Sequence, residues 1–309
     1  MIAAHADWSI APGKRWVTVA RRSAGGWHAG AAIPVGDPAA LVARLLAGGE
    51  AVALGLDLPL GLPRGFAQGR AEAGFRDFLV GLAERPEFFT VNATLATLSR
   101  DAPFYPARPL RGMTRLSHAL ALGLADAAGL SRLCDRATAE RPAGAPLFWT
   151  LGANQSGKAA IAAWRDWLAP ALTAGAPLRL WPFEGGLQAL LAPGQAVLAE
   201  VYPAEALRQL GLRLAGSKRA QAPRLALAPA LRAAMARLAV TPDAGLAAAI
   251  ATGFGGDAAA EDRFDSLIGL LGLVAVLDGA RPDFVPEDPW VRRWEGWVLG
   301  QTALPSGRA

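Results

Sequence analysis

The chain has 309 residues, 52% of them hydrophobic and 18% charged, with a mean hydropathy of +0.25, which supports a sizeable core and excludes a mainly disordered polymer. Its formal net charge of +5 and pI near 10.1 suit an anionic partner, nucleic acid above all. However, 28 Arg against three Lys (Lys14, Lys158, Lys218) in an Ala- and Gly-rich chain fits a GC-rich coding bias equally well. The single cysteine, Cys134, excludes a disulfide framework and a thiolate zinc cluster, and His5, His28 and His118 are the only histidines.

In chain order, residues 2–9 form a first candidate strand, ending in Asp7-Trp8-Ser9. Residues 15–22 (RWVTVARR) and 27–35 are the second and third, separated by the Gly25-Gly26 turn. Asp37-Pro38 reads as an N-cap with Pro in the first turn, and Leu41, Val42, Leu45 and Leu46 make one apolar face before Gly48-Gly49. Residues 51–58 (AVALGLDL) are a continuous apolar run, the pattern of a central strand covered on both faces. Residues 66–175 carry helical patterns, at Phe75, Phe78, Leu79 and Leu82, at Leu116, Leu120 and Leu124, and after Ser156 with Ile161, Trp164 and Leu168 inward. No linker isolates this stretch, so it reads as a helical insertion in a single 1–309 domain whose core comprises residues 1–65 and 176–300.

Strand signals return at 178–184 and 196–202, and Pro203 opens a helix. The last long helix, about 258–277, is apolar almost all round, as a buried helix should be. Its apolar run, 266–277, is shorter than the ~20 residues that cross a bilayer, and MIAAHADWS lacks the features of a secretory leader. A soluble, cytoplasmic protein is expected.

Acidic residues stand where charge is costly. Asp7 ends the first strand, Asp57 sits near the end of an apolar strand, Glu200 interrupts the run 196–202, and Asp262 and Asp265 open the apolar helix three residues apart. Read singly, each has an ordinary role: a turn former, a partner for a nearby Arg, or a complement to the helix dipole. Together they would repel strongly unless hard divalent cations such as Mg²⁺ or Mn²⁺ were held between them. The scarcity of Cys and His argues against zinc.

Residues 55–63 (GLDLPLGLP) closely resemble the D-x-P-x-G-x-P segment of the domain-of-unknown-function family numbered four-twenty-nine, which is described as predicted nucleases of the ribonuclease-H-like fold. Asp7-Trp8-Ser9, Glu200-Val201-Tyr202-Pro203 and Asp262-Arg263-Phe264-Asp265-Ser266-Leu267 resemble further stretches of that family, in the same order, over about residues 7–275. The resemblance implies an α/β fold with a five-stranded mixed sheet flanked by helices and acidic residues meeting at strand ends. It also implies an arrangement similar to RuvC-type Holliday-junction resolvases, with a D-x-x-D pair on the last helix. Carried over, Asp7, Asp57, Glu200 and Asp265 are the expected catalytic and metal-binding set, with Asp262 a partner or rival of Asp265. The implied activity is Mg²⁺- or Mn²⁺-dependent phosphodiester hydrolysis with two ions about 4 Å apart and a nucleic-acid substrate. His5, two residues before Asp7 and on the same side of a strand, is a candidate proton shuttle. His5, Ser9 and Lys158 are the candidate substrate-binding residues.

A competing pattern is residues 152–159 (GANQSGKA), which fits G-x-x-x-x-G-K but has Ala159 where a phosphate-binding loop has Ser or Thr. It keeps alive a nucleotide-dependent phosphotransferase or ATPase, or a Lys158 that holds a substrate phosphate. A non-catalytic nucleic-acid-binding domain is the third alternative. Trp290, Trp294 and Trp297 beside Arg292 and Arg293 would suit base stacking, though a core-packing helix is the commoner use of that spacing. Arg208, Arg213, Lys218, Arg219 and Arg224 form a basic stretch suited to a phosphate backbone or to a solvated loop.

Overall fold

In the computed structural model, which describes residues 1–109, 111–152 and 156–305, β1 (Ile2–Asp7) is buried along its whole length. It pairs antiparallel with β2 (Trp16–Ser23), which pairs antiparallel with β3 (Gly26–Ala29) and then with β4 (Ile33–Pro34). The expected third strand over 27–35 is therefore two pieces. Ala29 faces Ala20 while Ile33 faces Val17, so one extra residue bulges between them. α1 (Pro38–Leu46) starts as expected, with the Asp37 carboxylate accepting from the Ala40 N–H at 2.7 Å, and leads to β5 (Val52–Leu56), parallel to β1.

Between β5 and the next strand lie α2 (Arg64–Ala67), α3 (Phe75–Gly81), α4 (Arg115–Ala121), α5 (Ser156–Ala163) and α6 (Ala169–Thr173), the last two joined through a π-turn at Trp164–Leu168. Among the described residues none here joins the sheet, as expected, but much of the stretch is short 3₁₀ turns and loop rather than helix. Its core is aromatic, with Phe66, Phe75, Phe78, Phe88, Phe104 and Phe148 packed ring on ring. α4 buries the face opposite to its leucines: His118 and Ala119 are inside, and Leu116 and Leu120 are exposed.

The chain then adds β6 (Leu178–Leu180), α7 (Leu187–Leu190), β7 (Ala196–Glu200), α8 (Pro203–Gln209), α9 (Gln221–Arg237), β8 (Val240–Pro242), α10 (Ala244–Ala251) and α11 (Ala260–Leu277). The described residues form one mixed sheet of eight strands, ordered β6-β7-β5-β1-β2-β3-β8 with β4 beside β2. This exceeds the five strands implied by the resemblance. β6, β7, β5 and β1 are mutually parallel, so their carboxyl ends lie along one edge of the sheet.

Period-two alternation divides the core between two layers. Ile2, Ala4, Ala6, Leu54, Leu56 and Leu198 face α1 and the 66–175 stretch, whereas Ala3, Ala53, Val197 and Ala199 face the layer that contains α11. α11 lies close against β1 because Gly269 has no side chain: a Cβ there would come within 2.1 Å of the His5 ring. A hydrogen bond of 2.7 Å between Ser266 Oγ and Thr18 Oγ1 ties the same helix to β2. No helix among the described residues is long and apolar enough to cross a membrane.

Candidate metal centre

The carboxylates stand where the parallel strands end. Asp7 is the last residue of β1. Asp57 follows β5 directly and donates its N–H to the Ala6 carbonyl at 3.1 Å. Glu200 ends β7, in register with Leu56. Ligands of open α/β sheets gather outside this edge. α11 delivers the rest: its Gly269 sits on His5, and one helical turn earlier Asp265 acts on Asp7, two residues further along β1.

Three aspartates form one electrostatic unit. Burial pushes the Asp7 carboxyl well above its ordinary value, with repulsion from Asp57, Asp265 and Asp262 adding to it and Lys218 opposing it. Burial, then the charge of Asp265, lifts half-buried Asp57 to about 7, against Lys218 and a hydrogen bond from Asp7. Two carboxyl groups joined in this way share a proton. Burial raises Asp265 to about 6 although Lys218 pulls the other way. Asp262, half-buried at the rim, is raised by burial and by Glu261. Asp265 is only 3% exposed, and its Oδ1 is buried without a hydrogen-bond partner.

Glu200 takes the second of the roles open to it in the sequence, a partner for an arginine. Its oxygens accept from Arg132 Nη1 and Nη2, both at 2.6 Å, and Oε2 also accepts from the Leu60 N–H at 2.7 Å. Arg132, fully buried, binds Asp135 at 2.9 and 3.0 Å and donates to the Leu60 carbonyl at 3.0 Å. Among the described residues the ligand atoms that converge within 4.8 Å belong to Cys134, Asp135 and Glu200, and those of Asp7, Asp57 and Asp265 stand further apart. The Arg132 guanidinium already occupies the oxygens of both acids there, however, and burial holds the Cys134 thiol protonated, so the trio fits a cation poorly. The cluster instead explains the D-x-P-x-G-x-P segment. Leu60 is gripped at both its N–H and its carbonyl, and Gly61, at φ 138°, would place a Cβ 2.0 Å from the Glu295 carbonyl oxygen. The loop after Asp57 is thereby fixed.

The sequence places Lys218 in a basic stretch, and what that reading missed is its position at the aspartates. Its Nζ hydrogen-bonds to Asp265 Oδ2 and lies 3.4 Å from Glu261 Oε1. Burial opposes its charge, but Asp265, Asp57 and Glu261 together more than compensate and the ammonium is held above its ordinary pKa.

The candidate substrate-binding residues do not gather at this centre. His5 is completely buried under α11, its Nε2 3.1 Å from the Val201 carbonyl, and burial lowers its pKa to about 4. It is a neutral packing residue, not a shuttle. Ser9 closes a local turn: its Oγ accepts from the Ala11 N–H at 3.3 Å and its carbonyl from Arg15 Nε at 2.6 Å. Lys158 stands half-buried on α5, whose Ala160, Ile161 and Ala163 belong to the layer opposite α11. Residues 153–155 of the glycine-rich pattern lie outside the described residues. Trp294 and Trp297 are 2% and 0% exposed, which removes them as stacking platforms. The basic stretch is divided: Arg208 binds Glu205, and buried Arg224 holds the carbonyls of Lys218, Gly253 and Gly255.

No family model, curated protein or solved structure matches this chain.

Proposed function

We propose that the chain is a divalent-metal-dependent phosphoester hydrolase of ribonuclease-H-like fold that acts on nucleic acid, with Asp7, Asp57 and Asp265 as the principal ligands and Asp262 at the rim. A five-stranded mixed core, β3-β2-β1-β5-β7, flanked by helices and with acids at its strand ends, supports the fold reading; β4, β6, β8 and residues 66–175 are additions to it. The observation that carries the function is Asp265 Oδ1, a buried carboxylate oxygen with no hydrogen-bond partner, whose carboxylate repels those of Asp7 and Asp57. Leaving such an atom unpaired is costly, and an all-oxygen acidic set suits Mg²⁺ or Mn²⁺.

Bound there, the cation would supply a Lewis acid that polarises a phosphoryl oxygen and lowers the pKa of water. The chain supplies the rest. Asp7 and Asp57 give up their shared proton to become ligands, the Arg132–Glu200 pair keeps the Asp57 loop in place, and α11 holds Asp265 against β1.

Calorimetric titration of Mn²⁺ at about pH 8, where Asp57 is ionised, tests this reading. Micromolar binding with proton release is expected, weakened about tenfold or more in both Asp57→Asn and Asp265→Asn. Mn²⁺-dependent cleavage of branched DNA or RNA–DNA hybrids, in preference to ATP, is expected to disappear with it. Absence of binding, or binding indifferent to both substitutions, would overturn the reading.

A further inference from the structure

We infer that Lys218 is a displaceable counter-cation of the aspartate centre: its ammonium occupies Asp265 while no divalent ion is present and moves outward to Glu261 when one binds. The inference rests on the metal reading proposed above. Lys218 reaches two carboxylates one helical turn apart on α11, Asp265 with a 5% exposed side chain and Glu261 with a 25% exposed one. The ammonium therefore has an inner and an outer station. Moving outward gives up the pair with Asp265 and keeps the pair with Glu261.

The backbone beneath it is fixed, whereas the side chain is partly exposed. Buried Arg224 grips the Lys218 carbonyl together with those of Gly253 at 2.9 Å and Gly255 at 2.7 Å. The Lys218 side chain itself is 38% exposed. Asp265 keeps one oxygen, Oδ1, that this ammonium does not satisfy, so the centre is incompletely neutralised and remains open to a stronger cation.

The residue type fits the task. Where this chain fastens a buried carboxylate permanently, at Glu200, it uses a two-pronged guanidinium. At Asp265 it uses one of only three lysines in a chain with 28 arginines. A lysine is a compact charge on a flexible stem, whereas a forked arginine would lock the acid in place. At the outer station Lys218 would join Arg219, whose Nε is 3.6 Å from Glu261 Oε2.

A brief pulse of acetic anhydride, read lysine by lysine by mass spectrometry, follows the displacement in the unaltered chain, with Lys14 and Lys158 as internal references. Saturating Mn²⁺ should raise the labelling of Lys218 severalfold and leave the other two unchanged. Calorimetry on Lys218→Met should show Mn²⁺ binding about tenfold tighter than in the parent, since the competing ammonium is gone. If the parent binds Mn²⁺ and Asp265→Asn does not, but Lys218 labelling and the Lys218→Met affinity stay unchanged, this inference falls and the metal centre stands. If neither the parent nor Lys218→Met binds Mn²⁺, both fall. Should Lys218→Met fail to fold, the labelling of the parent decides alone.

Discussion

Asp57 shows what a centre of this kind costs the chain before any ligand arrives. Its carboxyl is raised from an ordinary 3.8 to about 7, so the fold favours its protonated form. The stability it contributes is complete below about pH 4 and is lost as pH rises through about 7. Three pK units would correspond to ~4 kcal/mol, but Asp57 is half-buried and shares its proton with Asp7, so about 2 kcal/mol is the expected size. Asp57→Asn keeps the shape and removes the charge. With a chelator present, urea unfolding should find it about 2 kcal/mol more stable than the parent at about pH 8 and no more stable at about pH 4. An equal effect at both values would mean that Asp57 is not held protonated. Asp7, Asp57 and Asp265 were legible in the sequence because each interrupts an apolar pattern at the end of an element. Lys218 was not, because it stands in a loop 47 residues before its partner. Glu200 looked equivalent to the aspartates because nothing local marks Arg132, 68 residues away, as its counter-ion.

At the scale of elements, the position of Asp265 depends on how closely α11 approaches β1, and that depends on Gly269. Gly269→Ala would drive a methyl into the His5 ring and lift the helix. A loss of about 3 kcal/mol is expected in urea unfolding, with Mn²⁺ affinity falling alongside as Asp265 withdraws. His5→Ala should recover part of that loss, so the two substitutions should couple by at least ~1 kcal/mol in a double-mutant cycle. Simple additivity would show that the helix is not seated on this ring. Periodicity revealed this helix and the continuous strands β5 and β7, whose bounds fall within two residues of expectation. It did not reveal the bulge between β3 and β4, because Gly30-Ala31-Ala32, poor strand formers, fall within one continuous candidate run. Nor did it reveal β8, where the β-branched pair Val240-Thr241 is too short a run before Pro242 to mark a strand without its pairing to β3. In α4 the leucine spacing located the helix and mistook its buried face, which is made by His118 and Ala119.

For the whole molecule, net charge overstates the positive surface on offer. Arg132 and Arg224 are buried, Arg15 binds the carbonyls of Ser9 and Ile10, Arg100 those of Gly65, Phe66 and Gln68, and Arg281 that of Gly300. Guanidinium groups spent in this way hold loops in place and meet no phosphate. Part of the positive charge is therefore committed inside the fold, and the centre is itself acidic. Nucleic-acid binding is accordingly expected to be modestly salt-dependent, with three or four phosphates neutralised and a log Kd against log [KCl] slope of about 2 to 4. Fluorescence anisotropy of a labelled oligonucleotide on Asp265→Asn, which lacks a full ligand set and should not cleave it, gives this slope directly. A slope above about 7 would mean that the arginines assigned here to internal carbonyls turn outward in the complex. No measurable binding at low salt would mean that the basic composition reflects coding bias alone. The aspartate centre would then have to act on a small phosphoester, one that needs no extended cationic surface to hold it.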